Sequence, residues 1–192
     1  MENHTRRRAL AALVLIAAAG LGLAACAASG GRPLLGVSEL PSGSDALSPD
    51  SGYVPDDAPL SIFDESAPAV SGLDPALRAA VQAAAAAAEA DGQEMSVTSG
   101  WRSAAYQAEL LEEAVTTYGS LEEARRWVST PELSAHVTGD AVDIGPLDAQ
   151  FWLMEHGAAY GLCQTYANER WHFELAIEPG GTCPLQKEDA SG

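Results

Sequence analysis

Two polar segments, far apart in the chain, constrain its fold more than anything else in it. They are Ser134-Ala-His136-Val-Thr-Gly139-Asp-Ala141-Val-Asp143 and Glu169-Arg-Trp171-His172. The chain has four histidines, and two of them fall here. Two neutral imidazoles and one carboxylate are a ligand set suited to catalytic zinc, with the fourth position left for water. For His136, Asp143 and His172 to converge, the two segments must lie side by side in one domain. A lone His–Asp pair is more often a structural hydrogen bond. What favours a metal site is the co-occurrence of both segments with Glu169, a carboxylate placed to take a proton from bound water.

The local patterning supplies elements that can bring these segments together. Asp74-Pro75 opens a helix as a capping carboxylate followed by proline at the first helical position, and the alanine-rich body runs to Ala90. A short β-branched run over 95–99 predicts a strand, followed by a helix over 103–118. Ser120-Leu-Glu-Glu123 is a capping box for a third helix, expected to reach about Val128. Ala141 to Ile144 predicts a strand with Asp143 on one side and Val142 and Ile144 on the other. A helix over 147–160 and two antiparallel strands over 162–166 and 171–177 complete the pattern. The fold class expected is α+β, with helices packed on a small, mostly antiparallel sheet that carries the site. On the last strand Trp171, Phe173 and Leu175 share an apolar face, which assigns Trp171 to the core. Strict alternation would turn Glu169 away from His172, so Glu169 must lie in the turn before the strand. Glu174 is the rival base, because alternation puts it on the ligand face.

The N-terminal region predicts export. Arg6-Arg7-Arg8 precedes an apolar stretch from Leu10 to Leu23 that is shorter than the ~20 residues of a spanning helix, and Leu23-Ala-Ala-Cys26 follows. This pattern resembles a bacterial lipobox, in which Cys26 is lipidated and anchors the protein at the outer face of the cytoplasmic membrane. The alternative is an ordinary cleavable signal with an incidental cysteine. Residues 27–70, rich in Ser, Pro, Gly and Asp, read as a flexible acidic tether, and 71–192 as the folded domain. The two remaining cysteines, Cys163 and Cys183, form an even pair suited to a disulfide in an oxidising compartment. The net charge of −17 opposes nucleic acid and anionic headgroups as partners. A monomer is expected.

A third segment, Ser99-Gly100-Trp101-Arg102-Ser103 with Gln107 after it, places an arginine at a helix entrance, where it suits an anion or a developing oxyanion. Together the three segments resemble the VanY-type D-alanyl-D-alanine carboxypeptidases, zinc peptidases of the bacterial cell wall. The pattern S-G-[YFW]-R-S-x-x-x-Q is similar to residues 99–107. S-x-H-x-x-G-x-A-x-D matches 134–143, and E-x-W-H matches 169–172. The resemblance covers about residues 73–177.

It implies one Zn2+ per chain held by His136, Asp143 and His172, with Glu169 as the base. By the same resemblance Arg102 stabilises the tetrahedral intermediate or positions the scissile carbonyl, and Ser134 and Gln107 support the site or the substrate. The implied substrates are peptidoglycan stem peptides or their precursors. A dipeptidase or endopeptidase acting on another stem-peptide bond would share the same metal site, and a non-catalytic wall-binding module would lack part of it. One departure from the family pattern stands just before Ser134. Many relatives carry a proline-glycine pair there, whereas this chain has Thr130-Pro131-Glu132-Leu133.

Overall fold

The computed structural model describes residues 47–191. Cys26, the signal segment and residues 27–46 of the expected tether lie outside the described residues. The fold is α+β: a five-stranded antiparallel sheet in the order β1-β2-β3-β5-β4 with helices packed around it. The strands are β1 (Leu60–Ser61), β2 (Ser96–Ser99), β3 (Ala141–Gly145), β4 (Leu162–Gln164) and β5 (His172–Leu175). The helices are α1 (Pro68–Ser71), α2 (Pro75–Ala90), α3 (Ala104–Tyr118), α4 (Leu121–Ala124), α5 (Ala135–Thr138) and α6 (Leu147–His156).

Local chemistry accounts for most of these boundaries. The Asp74 carboxylate accepts from the backbone N–H groups of Ala76 and Leu77, at 2.8 and 3.2 Å, and so caps α2. Ser103 caps α3 by accepting from Tyr106 N–H, and Ser120 caps α4 by accepting from Glu123 N–H. Along α2 the buried residues Leu77, Val81, Ala84, Ala85 and Ala88 form one stripe. That stripe and Ala149 and Leu153 of α6 cover one face of the sheet, against Val97, Val142, Ile144, Phe173 and Leu162.

Two expectations are corrected at this level. The tether expected over 27–70 ends earlier, because the described residues 47–70 belong to the domain. Leu60 pairs with Val97 across β1 and β2, and Ile62 and Val70 are buried in the core. The backbone of this segment also braces the Ser99–Ser103 stretch: Trp101 N–H donates to the Ala69 carbonyl and Ser103 N–H to the Ser51 carbonyl. The capping-box helix stops at Ala124 rather than near Val128. Beyond it the bonds tighten to the i→i+3 pattern, with Arg126 N–H donating to the Glu123 carbonyl at 3.3 Å and Trp127 N–H to the Ala124 carbonyl at 3.0 Å, so the chain continues as a turn.

The register across the sheet positions the site. Asp143 on β3 pairs directly with His172 on β5 and with Ser99 on β2. Val97 pairs with Ile144, so β2 spends two residues where β3 spends one, and Thr98 is the bulged residue. Without that bulge Ser99 would fall opposite Val142 on the apolar face. The bulge turns it to the face of Asp143 and His172.

Candidate metal centre

Three donor atoms converge on the polar face of the sheet. His136 Nε2 lies 3.2 Å from His172 Nδ1 and 3.3 Å from Asp143 Oδ1, and His172 Nδ1 lies 3.2 Å from the same oxygen. All three residues are buried. A nearly equilateral triangle of this size suits one ion. Tetrahedral coordination at the about 2.0–2.1 Å typical of zinc places its donor atoms about 3.3–3.4 Å apart.

The partners of the other ring nitrogens identify which atoms can bind. His136 Nδ1 is 2.8 Å from the Gly100 carbonyl, which can only accept, so Nδ1 carries the proton and Nε2 presents a lone pair to the triangle. His172 Nε2 is 3.1 Å from Glu174 Oε1, so Nε2–H donates outward and Nδ1 faces inward. Each imidazole is thus held from behind by a carbonyl or carboxylate, the support that metal-ligating histidines ordinarily have. Glu174, the rival base by strand alternation, binds the His172 ring on the side away from the triangle, where it orients the ring.

His136 reaches the triangle because α5 is short. Gly139 ends that helix with φ +82°, and a Cβ there would collide with the Gly72 carbonyl. The Gly139 carbonyl accepts from Asp74 N–H at 2.9 Å. The chain can therefore leave α5 and enter β3 within a few residues only with glycine at this position.

Arg102 backs the third donor. Its Nη2 donates to Asp143 Oδ2 at 2.9 Å, leaving Oδ1 for the triangle. Its Nε donates to Ser99 Oγ at 2.7 Å and its Nη1 to Gln107 Oε1 at 3.1 Å. Gln107 in turn donates from Nε2 to the Ser129 carbonyl at 2.8 Å. Gln107 is 1 % exposed, and both ends of its amide are engaged by the protein. It holds Arg102 in place from a position in the wall of the cleft. Ser134 is buried and lines the cleft, and its side chain does not cap α5.

Glu169 occupies the turn between β4 and β5. Its Oε2 lies 3.9 Å from His172 Nδ1, and its buried Oε1 has no hydrogen-bond partner. Burial is the main cause that raises its pKa to about 7. An unpartnered carboxylate oxygen in a cleft marks a place built for something else to bind.

Charge in the site is finely shared. Burial drives the pKa of His136 down, assisted by the Arg102 cation. Burial also opposes ionisation of Asp143, yet His136, His172 and Arg102 hold its carboxyl well below the usual range. For His172 burial is outweighed by hydrogen bonds to Asp143 and Glu174, which raise its pKa to about 9.

The cleft above the triangle has a volume of about 180 Å³. Several of its walls carry no sequence signature. Tyr166 packs its ring 4.9 Å from that of His172, and Ser129 and Ala190 also line the cleft. Trp171 lines it too, which corrects the expectation that Trp171 belongs to the core. It precedes the first residue of β5, so strand alternation does not govern it. Trp101, by contrast, packs against Gly72, where a Cβ would come within 2.6 Å of its ring. Of the remaining predicted residues, Cys163 and Cys183 are joined in a disulfide that ties the C-terminal segment to β4. His156 ends α6 beside Trp152, away from the site. In the departing segment 130–133, Leu133 is exposed, and Ser129 and Ser134 on either side meet the cleft.

The family model for VanY, described as D-alanyl-D-alanine carboxypeptidase, matches residues 71–179. A D-alanyl-D-alanine carboxypeptidase of Enterococcus faecalis (strain ATCC 700802 / V583) is 31% identical over 112 residues, 45% of this chain and 42% of the relative. The aligned region thus spans less than half the length of that protein. Among solved structures, a variant of the vancomycin-resistance D,D-pentapeptidase VanY from a VanB-type cassette, in complex with Zn(II), is similar. Its TM-score is 0.50 at 28% identity, covering 53% of this chain and 71% of that one. VanYB in complex with D-alanine-D-alanine superposes with a TM-score of 0.51 at 28% identity, covering 53% and 70%.

Proposed function

The chain belongs to the VanY D-alanyl-D-alanine carboxypeptidase family, and from that premise we propose that it is a zinc-dependent D,D-carboxypeptidase that removes the terminal D-alanine from peptidoglycan stem peptides. The observation that carries this reading is the donor triangle of His136, Asp143 and His172, with edges of 3.2–3.3 Å, beside the unpartnered oxygen of Glu169. The Zn(II) complex and the D-alanine-D-alanine complex of the two similar structures support the choice of metal and of peptide.

His136 Nε2, His172 Nδ1 and Asp143 Oδ1 would hold the ion. When bound, zinc supplies a water of lowered pKa, near 7, and polarises the scissile carbonyl. The remaining work falls to the chain's own groups. Glu169 accepts a proton from the attacking water and returns it to the leaving amine, a task suited to a carboxylate whose pKa burial has raised toward neutrality. Arg102, held by Ser99, Gln107 and Asp143 in the wall of the cleft, stabilises developing negative charge. Glu174 and the Gly100 carbonyl keep both imidazoles in the binding tautomer. Ser134 lines the wall against which the substrate lies.

The N-terminal sequence adds a location to this reading: an exported protein anchored by lipid on Cys26, acting as a monomer on the wall outside the cytoplasmic membrane. Release from the membrane fraction by Cys26→Ala would support the anchor, and unchanged fractionation would remove it.

The enzymatic test is release of free D-alanine from a peptide ending in Lys-D-Ala-D-Ala, using the full chain with zinc and with a chelator. Chelator-sensitive release supports the proposal. Release of a dipeptide, or cleavage of an internal bond, would redirect it to another stem-peptide bond. A protein that takes up no zinc would overturn it.

A further inference from the structure

Residues 180–191 lie beyond the region matched by the family model, yet one of them reaches the cleft. Ala190 is 8 % exposed and lines the cleft together with Ser129, Val128, Trp127 and Leu110. The segment that delivers it is fastened along its length. Cys183 is bonded to Cys163 on β4. Lys187 bridges to Tyr166: its N–H donates to the Thr165 carbonyl and its carbonyl accepts from Ala167 N–H, both at 2.9 Å.

Beyond Lys187 the partners change to the stretch that follows α4. Asp189 Oδ2 accepts from Arg126 Nε at 2.8 Å, and Arg125 Nη2 donates to the Ser191 carbonyl at 3.0 Å. Ser129 Oγ donates to the Ala190 carbonyl at 2.7 Å, while Ala190 N–H donates to the Arg126 carbonyl at 3.3 Å. Residues 187–191 thus form a strap from the end of β4 to the exit of α4, and Ala190 is the residue of it that lines the cleft.

The strap is also continuous with the charged part of the site. Ser129, which holds Ala190, receives Gln107 Nε2 on its own carbonyl, and Gln107 Oε1 receives Arg102 Nη1. A wall built in this way sits at a fixed distance from the Arg102 cation. In a cleft of about 180 Å³, one methyl group more or less on a fixed wall decides which side chains fit.

We infer that the strap 187–191 is a specificity-determining wall of the substrate cleft, in which Ala190 bounds the space for the side chain of the substrate's terminal residue. This rests on the carboxypeptidase reading above. Ala190 lines the same cleft as Arg102, so a terminal residue seated beside the reacting centre meets the strap as its wall. The small size of Ala190 admits a methyl group there and resists larger ones. Mismatch by a methylene or two in such a pocket changes selectivity by roughly 10–200-fold. The Arg126–Asp189 pair is the latch that keeps the wall from yielding.

The test is a profile of kcat and KM for full-length wild type, Ala190→Gly, Ala190→Val and Asp189→Asn on peptides Lys-D-Ala-X. Here X is glycine, D-alanine, D-valine or D-leucine. Ala190→Val is expected to lower the kcat/KM ratio of D-alanine to glycine by about tenfold, mainly through KM. Ala190→Gly is expected to raise the ratio of D-valine to D-alanine by a similar factor, and Asp189→Asn to move it in the same direction by less.

Profiles of both Ala190 variants that run parallel to wild type overturn the inference while leaving the carboxypeptidase reading in place. Wild type that releases nothing from any peptide overturns that reading, and this inference with it. If Ala190→Val shows no cooperative melt, Ala190→Gly, which removes only a methyl group, decides alone.

Discussion

On β3, Val142 and Ile144 are fully buried against α2 and α6, and Asp143 between them is almost as buried on the opposite side. The sheet therefore buries two faces of opposite character. The apolar face, with Val97, Val142, Ile144 and Phe173, stabilises the fold by about 1.5–3 kcal/mol for each large side chain taken from water. The polar face buries Asp143, His136, His172, Glu169 and most of Arg102, and burial of ionisable groups stabilises little or costs outright. That cost is visible in the unpartnered oxygen of Glu169. One face holds the domain together, and the other uses that stability to keep reactive groups dry and aligned.

The contrast is broken most severely by separating activity from stability. Glu169→Gln is expected to lower kcat by on the order of 10²–10⁴-fold while zinc remains bound. The unfolding midpoint of this variant should equal or exceed that of wild type, because the neutral amide leaves no charge to bury. Kinetics, metal analysis and a thermal melt on the same sample check this, and a marked loss of stability would refute the division of labour.

On the other face, Phe173→Ala is expected to cost about 3–5 kcal/mol in urea unfolding of the metal-free protein. A cost under about 1 kcal/mol would mean that the apolar face is not the main source of stability.

Glu174→Gln probes the support behind the polar face. It should weaken zinc binding by roughly 10–100-fold, with little change in the melt of the metal-free protein. Competition with a chromogenic chelator reads the first quantity.

The pH dependence of stability gives the smallest effect. Glu169 has its folded pKa raised to about 7 from 4.5. A raised carboxyl favours the protonated form in the folded state, so its contribution is fully present below pH 4.5. It is lost as pH rises to about 7. In metal-free protein the stability of wild type should therefore fall relative to Glu169→Gln across that window. The difference should be on the order of 2 kcal/mol after solvent screening. Parallel pH profiles would show that Glu169 ionises freely.

The elements whose signals are local were legible from the residues. Asp74-Pro75, Ser103 and Ser120 cap the helices they announce, because a cap needs only the next two or three backbone N–H groups. Asp143 is opposed to Val142 and Ile144 because alternation along a strand follows from backbone geometry alone. Glu169 lies in a turn for the reason that places it there, since regular alternation would have turned it away from His172.

The features that escaped are those in which a short segment takes its structure from a distant partner. Residues 47–70 have a tether's composition, yet two residues of β1 pair with β2 and Ile62 fills the core. Trp171 obeys its turn rather than the strand after it. The Thr98 bulge, which brings Ser99 under Arg102, leaves no trace in composition.

The sequence by itself determined the chemistry: which residues can bind a metal, which carboxylate stands ready beside them, and the α+β pattern that carries them. Those properties reside in side-chain identity, capping and periodicity over a few residues. Tertiary structure alone decided which nitrogen of each histidine faces the centre, that Glu174 binds the outer nitrogen of His172, and that Gln107 is hydrogen-bonded to Arg102. It also brought Ala190 into the cleft. Each of these depends on hydrogen bonds between residues distant in the chain, and such bonds are set by register and packing, which no local pattern records.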